Sequence, residues 1–134
     1  MPASFFDTNV VLYLASSVQA KADRAESLIA GGGSISVQVL NEITNVARRK
    51  MQLTWPEIQA FLTSIRGVMA VEPLTVETHE AGLGLAERYG LSVYDAMIAA
   101  AALQANCDTL WSEDMQHGAI LNDRLRIANP FRGM

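Results

Sequence analysis

The stretch Ser4-Phe5-Phe6-Asp7-Thr8-Asn9-Val10-Val11-Leu12 constrains the fold more than any other part of the chain. An apolar pair runs into an acid, two small polar residues follow, and an apolar stretch resumes. That pattern reads as a buried strand over 3–7 whose carboxyl end presents Asp7 at the start of a short helix over 8–15. In open α/β sheets, ligands bind outside the carboxyl ends of the strands. Asp7 therefore stands where such a fold carries its chemistry, and the function of the chain turns on which other side chains meet it there.

The rest of the chain alternates in the same way. Ala22, Ala25 and Ile29 recur at helical spacing over 21–30, and Gly31-Gly32-Gly33 ends that helix. Ser34-Ile35-Ser36-Val37 alternates and is rich in β-branched residues, so a strand is expected, followed by a helix over 38–50. Thr54-Trp55-Pro56-Glu57 is a helix start with a capping box. A short strand over 69–73 and a helix from Thr75 or Thr78 to about Tyr89 come next, with Gly82 and Gly84 weakening its middle. Ser92 to Leu103 is an alanine-rich helix slim enough to pack closely against a sheet. Residues 108–112 form a strand, and Leu125-Arg126-Ile127-Ala128 is expected to be an edge strand. Strands alternating with helices imply parallel βαβ units with right-handed crossovers. The expected fold is an α/β/α sandwich around a mainly parallel sheet of four or five strands.

With 134 residues, 50% of them hydrophobic, the chain is expected to form one domain over 1–134. Ten basic against 14 acidic residues give a net charge of −4, so no general attraction to nucleic acid exists. A polyanionic partner must be met by a local basic patch or through metal ions. Cys107 is alone, which excludes an intramolecular disulfide and suits a reducing cytoplasm. No basic leader and no run of about 18 apolar residues is present, so neither a signal peptide nor a membrane span is expected.

Four acids occupy equivalent positions. Asp7 ends the first strand, Glu42 lies early in the helix after the second, Asp95 opens the alanine-rich helix, and Asp114 follows the strand at 109–112. All four can face one rim of a parallel sheet. Clustered carboxylates repel and raise one another's pKa. A bound Mg²⁺ or Mn²⁺ removes that penalty, because hard cations take carboxylate oxygens and water. Such an ion would also let an acidic protein approach a phosphodiester. Taken singly, each acid has a plainer reading as a helix cap, a solvated face residue or a turn residue, so the argument rests on the set.

These residues resemble those of a PIN domain, specifically the VapC-type toxin ribonucleases of bacterial type II toxin–antitoxin pairs. The resemblance runs from Phe5 to about Pro130. It is carried by Phe6-Asp7-Thr8-Asn9, Val39-Leu40-Asn41-Glu42, Tyr94-Asp95-Ala96 with Ile98-Ala99-Ala100-Ala101, and Leu110-Trp111-Ser112-Glu113-Asp114-Met115. It implies that Asp7, Glu42, Asp95 and Asp114 hold Mg²⁺ or Mn²⁺ and that ion-bound water cleaves single-stranded or loop RNA. Thr8, Asn9 and Ser112 match small polar positions that would orient the carboxylates. The resemblance further implies a homodimer and a VapB-like antitoxin seated in grooves of the early helices. The last motif departs from the family, which commonly has Thr at the position of Ser112 and often Phe soon after the acid, where this chain runs Met115-Gln116-His117-Gly118.

Arg48, Arg49 and Lys50 are candidates for RNA phosphate contacts, as is a second patch of Arg124, Arg126 and Arg132. His117 could be a further ligand or a proton shuttle, or simply a polar loop residue. Trp55, Phe61 and Ile65 could be core. Three other readings compete. A haloacid dehalogenase-like phosphatase would need a second acid where Asn9 stands. A receiver-like phosphoacceptor would need an acid pair next to a strand-end Lys, and neither Lys21 nor Lys50 ends a strand. A degenerate PIN scaffold that only binds a partner would not need the four acids.

Overall fold

Phe5 and Phe6 are fully buried, and the strand they form, β1 (Ser4–Phe6), lies inside a six-stranded sheet. The description rests on a computed structural model and covers residues 3–134. Met1 and Pro2, the start of the stretch read above for a leader, lie outside the described residues. The other strands are β2 (Ser34–Ser36), β3 (Ala70–Glu72), β4 (Thr109–Trp111), β5 (Ile120–Leu121) and β6 (Leu125–Ala128). Their order is β3-β2-β1-β4-β6-β5. Every pairing is parallel except that of β5 with β6.

The sheet thus has six strands rather than four or five, and β6 is not an edge: it sits between β4 and β5. The extra strand is only two residues long, too short for periodicity to register. Asn122 and Asp123, both at positive φ (51° and 57°), turn the chain back into β6. Short polar side chains tolerate that left-handed conformation.

Helices cover the sheet. They are α1 (Thr8–Leu12), α2 (Gln19–Ile29), α3 (Val37–Arg49), α4 (Trp55–Val68), α5 (Val76–Tyr89) and α6 (Val93–Gln104), with a 3₁₀ turn over Tyr13–Ala15 continuing α1. Thr54 and Thr75 both form capping boxes, with Glu57 and Thr78 respectively. Such caps are worth about 1 kcal/mol each. α6 is buried from Ala96 to Ala102, as a helix apolar all round must be. Its alanines let α5 come close. A Cβ on Gly82 would meet Met97 Sδ at 2.8 Å, so the glycine expected to weaken α5 is what allows the two helices to touch. Trp55 is not core: it is 52% exposed, while Ile65 is buried and Phe61 half-buried.

The topology decides where ligands can go. From β1 the chain builds β2 and β3 on one side, then β4 on the other. That reversal opens a crevice between β1 and β4 outside their carboxyl ends. Phe6 pairs in register with Trp111, and the ladder extends one step when Asp7 N–H donates to the Trp111 carbonyl at 2.9 Å. Asp7 and Ser112 therefore emerge side by side at the switch point.

Candidate metal centre

Asp7 is 4% exposed. One carboxylate oxygen accepts from Thr8 N–H at 2.7 Å and the other from the Ser112 hydroxyl at 2.7 Å. Ser112 is itself fully buried and accepts from Met115 N–H at 3.1 Å. Both donors to Asp7 are neutral, so nothing balances its charge. Burial raises its pKa from 3.8 to about 6; the Ser112 and Thr8 hydrogen bonds oppose the rise, and the charges of Asp95 and Glu42 add to it.

Asp95 is half-buried in the first turn of α6, which Ser92 caps. Burial raises its pKa as well, Ser92 pulls the other way, and the charges of Glu42 and Asp114 push it further up. Glu42 reaches the same rim because no loop separates β2 from α3. Ser36 ends the strand and also caps the helix, so a residue well inside α3 still lies near the strand end. Its two oxygens accept from the Thr8 hydroxyl and the Gln38 amide, both at 2.9 Å. Asp114 is exposed and accepts from the Asn9 amide. Thr8, Asn9 and Ser112 each hold a different acid: Glu42, Asp114 and Asp7.

Among the described residues, no three His, Cys, Asp or Glu side chains close into a ready cage for an ion. The donor chemistry nevertheless suits a hard cation, with four carboxylates accompanied by hydroxyls and carboxamides. Mg²⁺ in particular keeps several waters and is held through only one or two carboxylates. An open rim of acids with one deep, uncompensated member fits that mode, the remaining acids acting through water.

Glu113, the acid directly before Asp114, is tied down. Lys21 Nζ lies 2.6 Å from one oxygen, and the Tyr13 hydroxyl donates to the other at 2.7 Å. The Lys21 ammonium sits 4.7 Å from the Tyr13 ring centre and 5.3 Å from that of Phe131. Thus Lys21, which ends no strand, delivers its charge within two residues of the end of β4. Sequence separation hid this pair, which joins α2 to the β4 loop across 92 positions. His117 accepts from Asn129 N–H through Nδ1 at 3.0 Å, which anchors the chain after β6.

Of the candidate RNA contacts, Arg48 stacks over Trp55 at 5.0 Å and donates to the Leu53 carbonyl at 3.2 Å. Arg49 and Lys50 are exposed at the end of α3. Arg126 pairs in register with Thr109, at the amino end of β4 and away from the acid rim. Arg124 bonds Asn106 at 3.2 Å, and Arg132 is exposed.

A mostly parallel α/β sheet with acids gathered at its switch point places those acids where open α/β folds bind their ligands. The family model of the PIN domain matches residues 4–120, and the chain belongs to that family. No curated protein matches it in sequence. Solved structures with the same fold include VapC20 of Mycobacterium tuberculosis, described as a sarcin–ricin loop cleaving toxin. It is 23% identical over 84% of this chain and 90% of that one, with a TM-score of 0.66. A toxin–antitoxin complex from Klebsiella pneumoniae is 19% identical over 96% and 98% of the two chains, with a TM-score of 0.73. DNA-bound VapBC from Salmonella typhimurium is 17% identical over 97% and 99%, with a TM-score of 0.71. Among the described residues, no helix is long and apolar enough to cross a membrane.

Proposed function

We propose that the chain is a divalent-metal-dependent endoribonuclease, the toxin of a VapBC-type pair, working as a homodimer in the cytoplasm. The observation that carries this reading is Asp7, a buried carboxylate with neutral donors only, facing two further acids at the sheet's switch point. Membership of the PIN family and the likeness to VapC toxins support it.

In this reading Asp7, Glu42, Asp95 and Asp114 hold Mg²⁺ or Mn²⁺, which when bound supplies an activated water and charge stabilisation at the phosphodiester. Ser112 fixes the direction of Asp7, Thr8 that of Glu42, and Asn9 that of Asp114. The cation brought by the metal offsets the overall negative charge that would otherwise repel RNA. A haloacid dehalogenase-like phosphatase remains disfavoured, because Asn9 stands where a second acid is needed and Lys21 is already paired with Glu113. A binding-only scaffold has one observation in its favour, the open spacing of the acids.

The test is cleavage of single-stranded RNA with and without Mg²⁺, against hydrolysis of a generic phosphomonoester. The wild type should cut RNA only with metal and leave the phosphomonoester intact. Asp7→Asn and Asp95→Asn should each lower cleavage about a thousandfold or more, the scale of several kcal/mol of lost charge stabilisation. Undiminished cleavage by either variant would overturn the metal assignment.

A further inference from the structure

Beside Glu42 a pocket of about 420 Å³ is lined by Gln38, Asn41, Asn45 and Tyr94 together with Glu42 itself. That volume lies within the range of about 300–1,000 Å³ typical of small-molecule sites. Tyr94 is 66% exposed, although it directly precedes Asp95. Its ring is therefore available to solvent beside the acids. The three carboxamides share one side of α3 at spacings of three and four residues, so they follow one another along the helix surface. Asn41 and Asn45 are exposed. Gln38 donates its amide to Glu42, which leaves its carbonyl oxygen to accept.

We infer that this pocket is a nucleobase subsite, in which Tyr94 stacks on the base next to the scissile phosphate and Asn41, Asn45 and Gln38 read its edge. The inference rests on the ribonuclease reading given above and adds the source of sequence preference. Single-stranded RNA offers unstacked bases, which proteins recognise by stacking on aromatic rings and by hydrogen bonds to exposed edges. Carboxamides carry a donor and an acceptor side by side, as a base edge does. The location follows from the same chemistry. Glu42 is shared between the acid rim and the pocket, so a phosphate at the rim leaves its neighbouring base within reach of Tyr94. The net negative charge of the chain makes stacking, rather than phosphate attraction, the natural source of affinity on this side.

The test pairs binding with cleavage. Binding of a short fluorescent single-stranded RNA is measured in chelator, where nothing is cut, and cleavage is measured in Mg²⁺ on oligonucleotides that differ at one base beside the cut. Tyr94→Leu should weaken binding about tenfold or more, the scale of one lost stacking contact, and raise KM with little change in kcat. Tyr94→Phe, which keeps the ring, should restore both. Asn41→Ala and Asn45→Ala should flatten the discrimination between bases. Unchanged binding, KM and base preference in Tyr94→Leu would overturn the subsite while leaving the nuclease reading intact. Weaker binding by Tyr94→Leu beside a wild type that never cuts RNA would keep the subsite and overturn the nuclease reading. Loss of binding to a partner protein by Tyr94→Leu, with RNA kinetics unchanged, would mark the surface as a protein interface and overturn the proposal.

Discussion

Two acids one residue apart, Glu113 and Asp114, belong to opposite kinds of environment. Glu113 is satisfied by the protein: an ammonium binds one oxygen, a phenol the other, and two rings flank the ammonium. Its own burial pushes its pKa up, but the Lys21 and Tyr13 hydrogen bonds outweigh this and hold it below the usual range. Asp114 faces the other way, toward Asn9 and the rim where Asp7, Glu42 and Asp95 repel one another. The protein spends no cation on that rim. Glu113 thus receives a counter-charge from within the fold, whereas Asp7, Glu42 and Asp114 are oriented by neutral donors, as the proposed cation site requires. The two clusters adjoin because the same short loop after β4 supplies both.

The largest expected effect lies in the metal-free protein. Burial pushes the Asp7 pKa up to about 6 in the fold, against 3.8 for a free aspartate side chain. Between those values the folded state holds a proton that the unfolded chain has released, so stability falls as pH rises. The full penalty, about 3 kcal/mol, is in place once the pH exceeds the folded value. Asp7→Asn removes it. In chelator at neutral pH the variant should therefore be more stable than the wild type, by about 1–3 kcal/mol once an imperfect fit of the amide to Thr8 and Ser112 is allowed for. The gain should shrink as the pH falls toward the unfolded pKa. Urea melts across that range check it, and a wild type more stable than Asp7→Asn at neutral pH would erase the contrast between the two clusters.

How far this arrangement could be read in the sequence follows from the physics of each part. β1, β2, α4 and α6 were legible because their signals are local: a buried apolar run, alternation, a capping box, an alanine-rich stretch. So was the general address of Asp7, since strand ends set it. β5 escaped because two residues carry no period, although Asn122-Asp123 was a usable turn signal. The Lys21–Glu113 pair escaped because nothing local relates a helix residue to a loop about ninety positions away. The positions of Thr8, Asn9 and Ser112 stood out, but which acid each one holds depends on rotamers, and these are fixed only by packing. Gly82 misled, because a helix-weakening residue and a close-packing residue look the same until α6 is seen against it.

The next effect separates the clusters by their response to metal. If the rim is reserved for a cation, millimolar Mg²⁺ or Mn²⁺ should raise the melting temperature of the wild type. At ten times the dissociation constant the gain is about 1.4 kcal/mol, or roughly 5 °C for a chain of this size. Asp7→Asn and Asp95→Asn should respond weakly or not at all, while Glu113→Gln should respond like the wild type. Differential scanning calorimetry across a metal titration reads all four proteins. A flat wild-type curve would count against the rim as a cation site, and an equal loss of response in Glu113→Gln would show that the clusters are not separable.

The smallest effect belongs to the compensated cluster and has the opposite sign. Its side chains are 31% and 24% exposed, so solvent screens the ion pair and its worth is limited to about 0.5–1 kcal/mol. Glu113→Gln should destabilise the fold by that amount at neutral pH, where Asp7→Asn stabilises it. Because the Glu113 pKa is held down, its contribution is present above the unfolded value and disappears as the pH falls through the folded one. Salt should erode it too, since a partly exposed pair is screened at molar ionic strength, whereas the gain from Asp7→Asn, which comes from burial, should persist. Tyr13→Phe tests the neutral half of the same cluster: it should cost about 1 kcal/mol with little dependence on salt. A loss in Glu113→Gln that is large and insensitive to salt would mean that Glu113 positions the β4 loop through its geometry rather than its charge. The division between an internally balanced acid and an externally balanced rim would then have to be redrawn around Ser112.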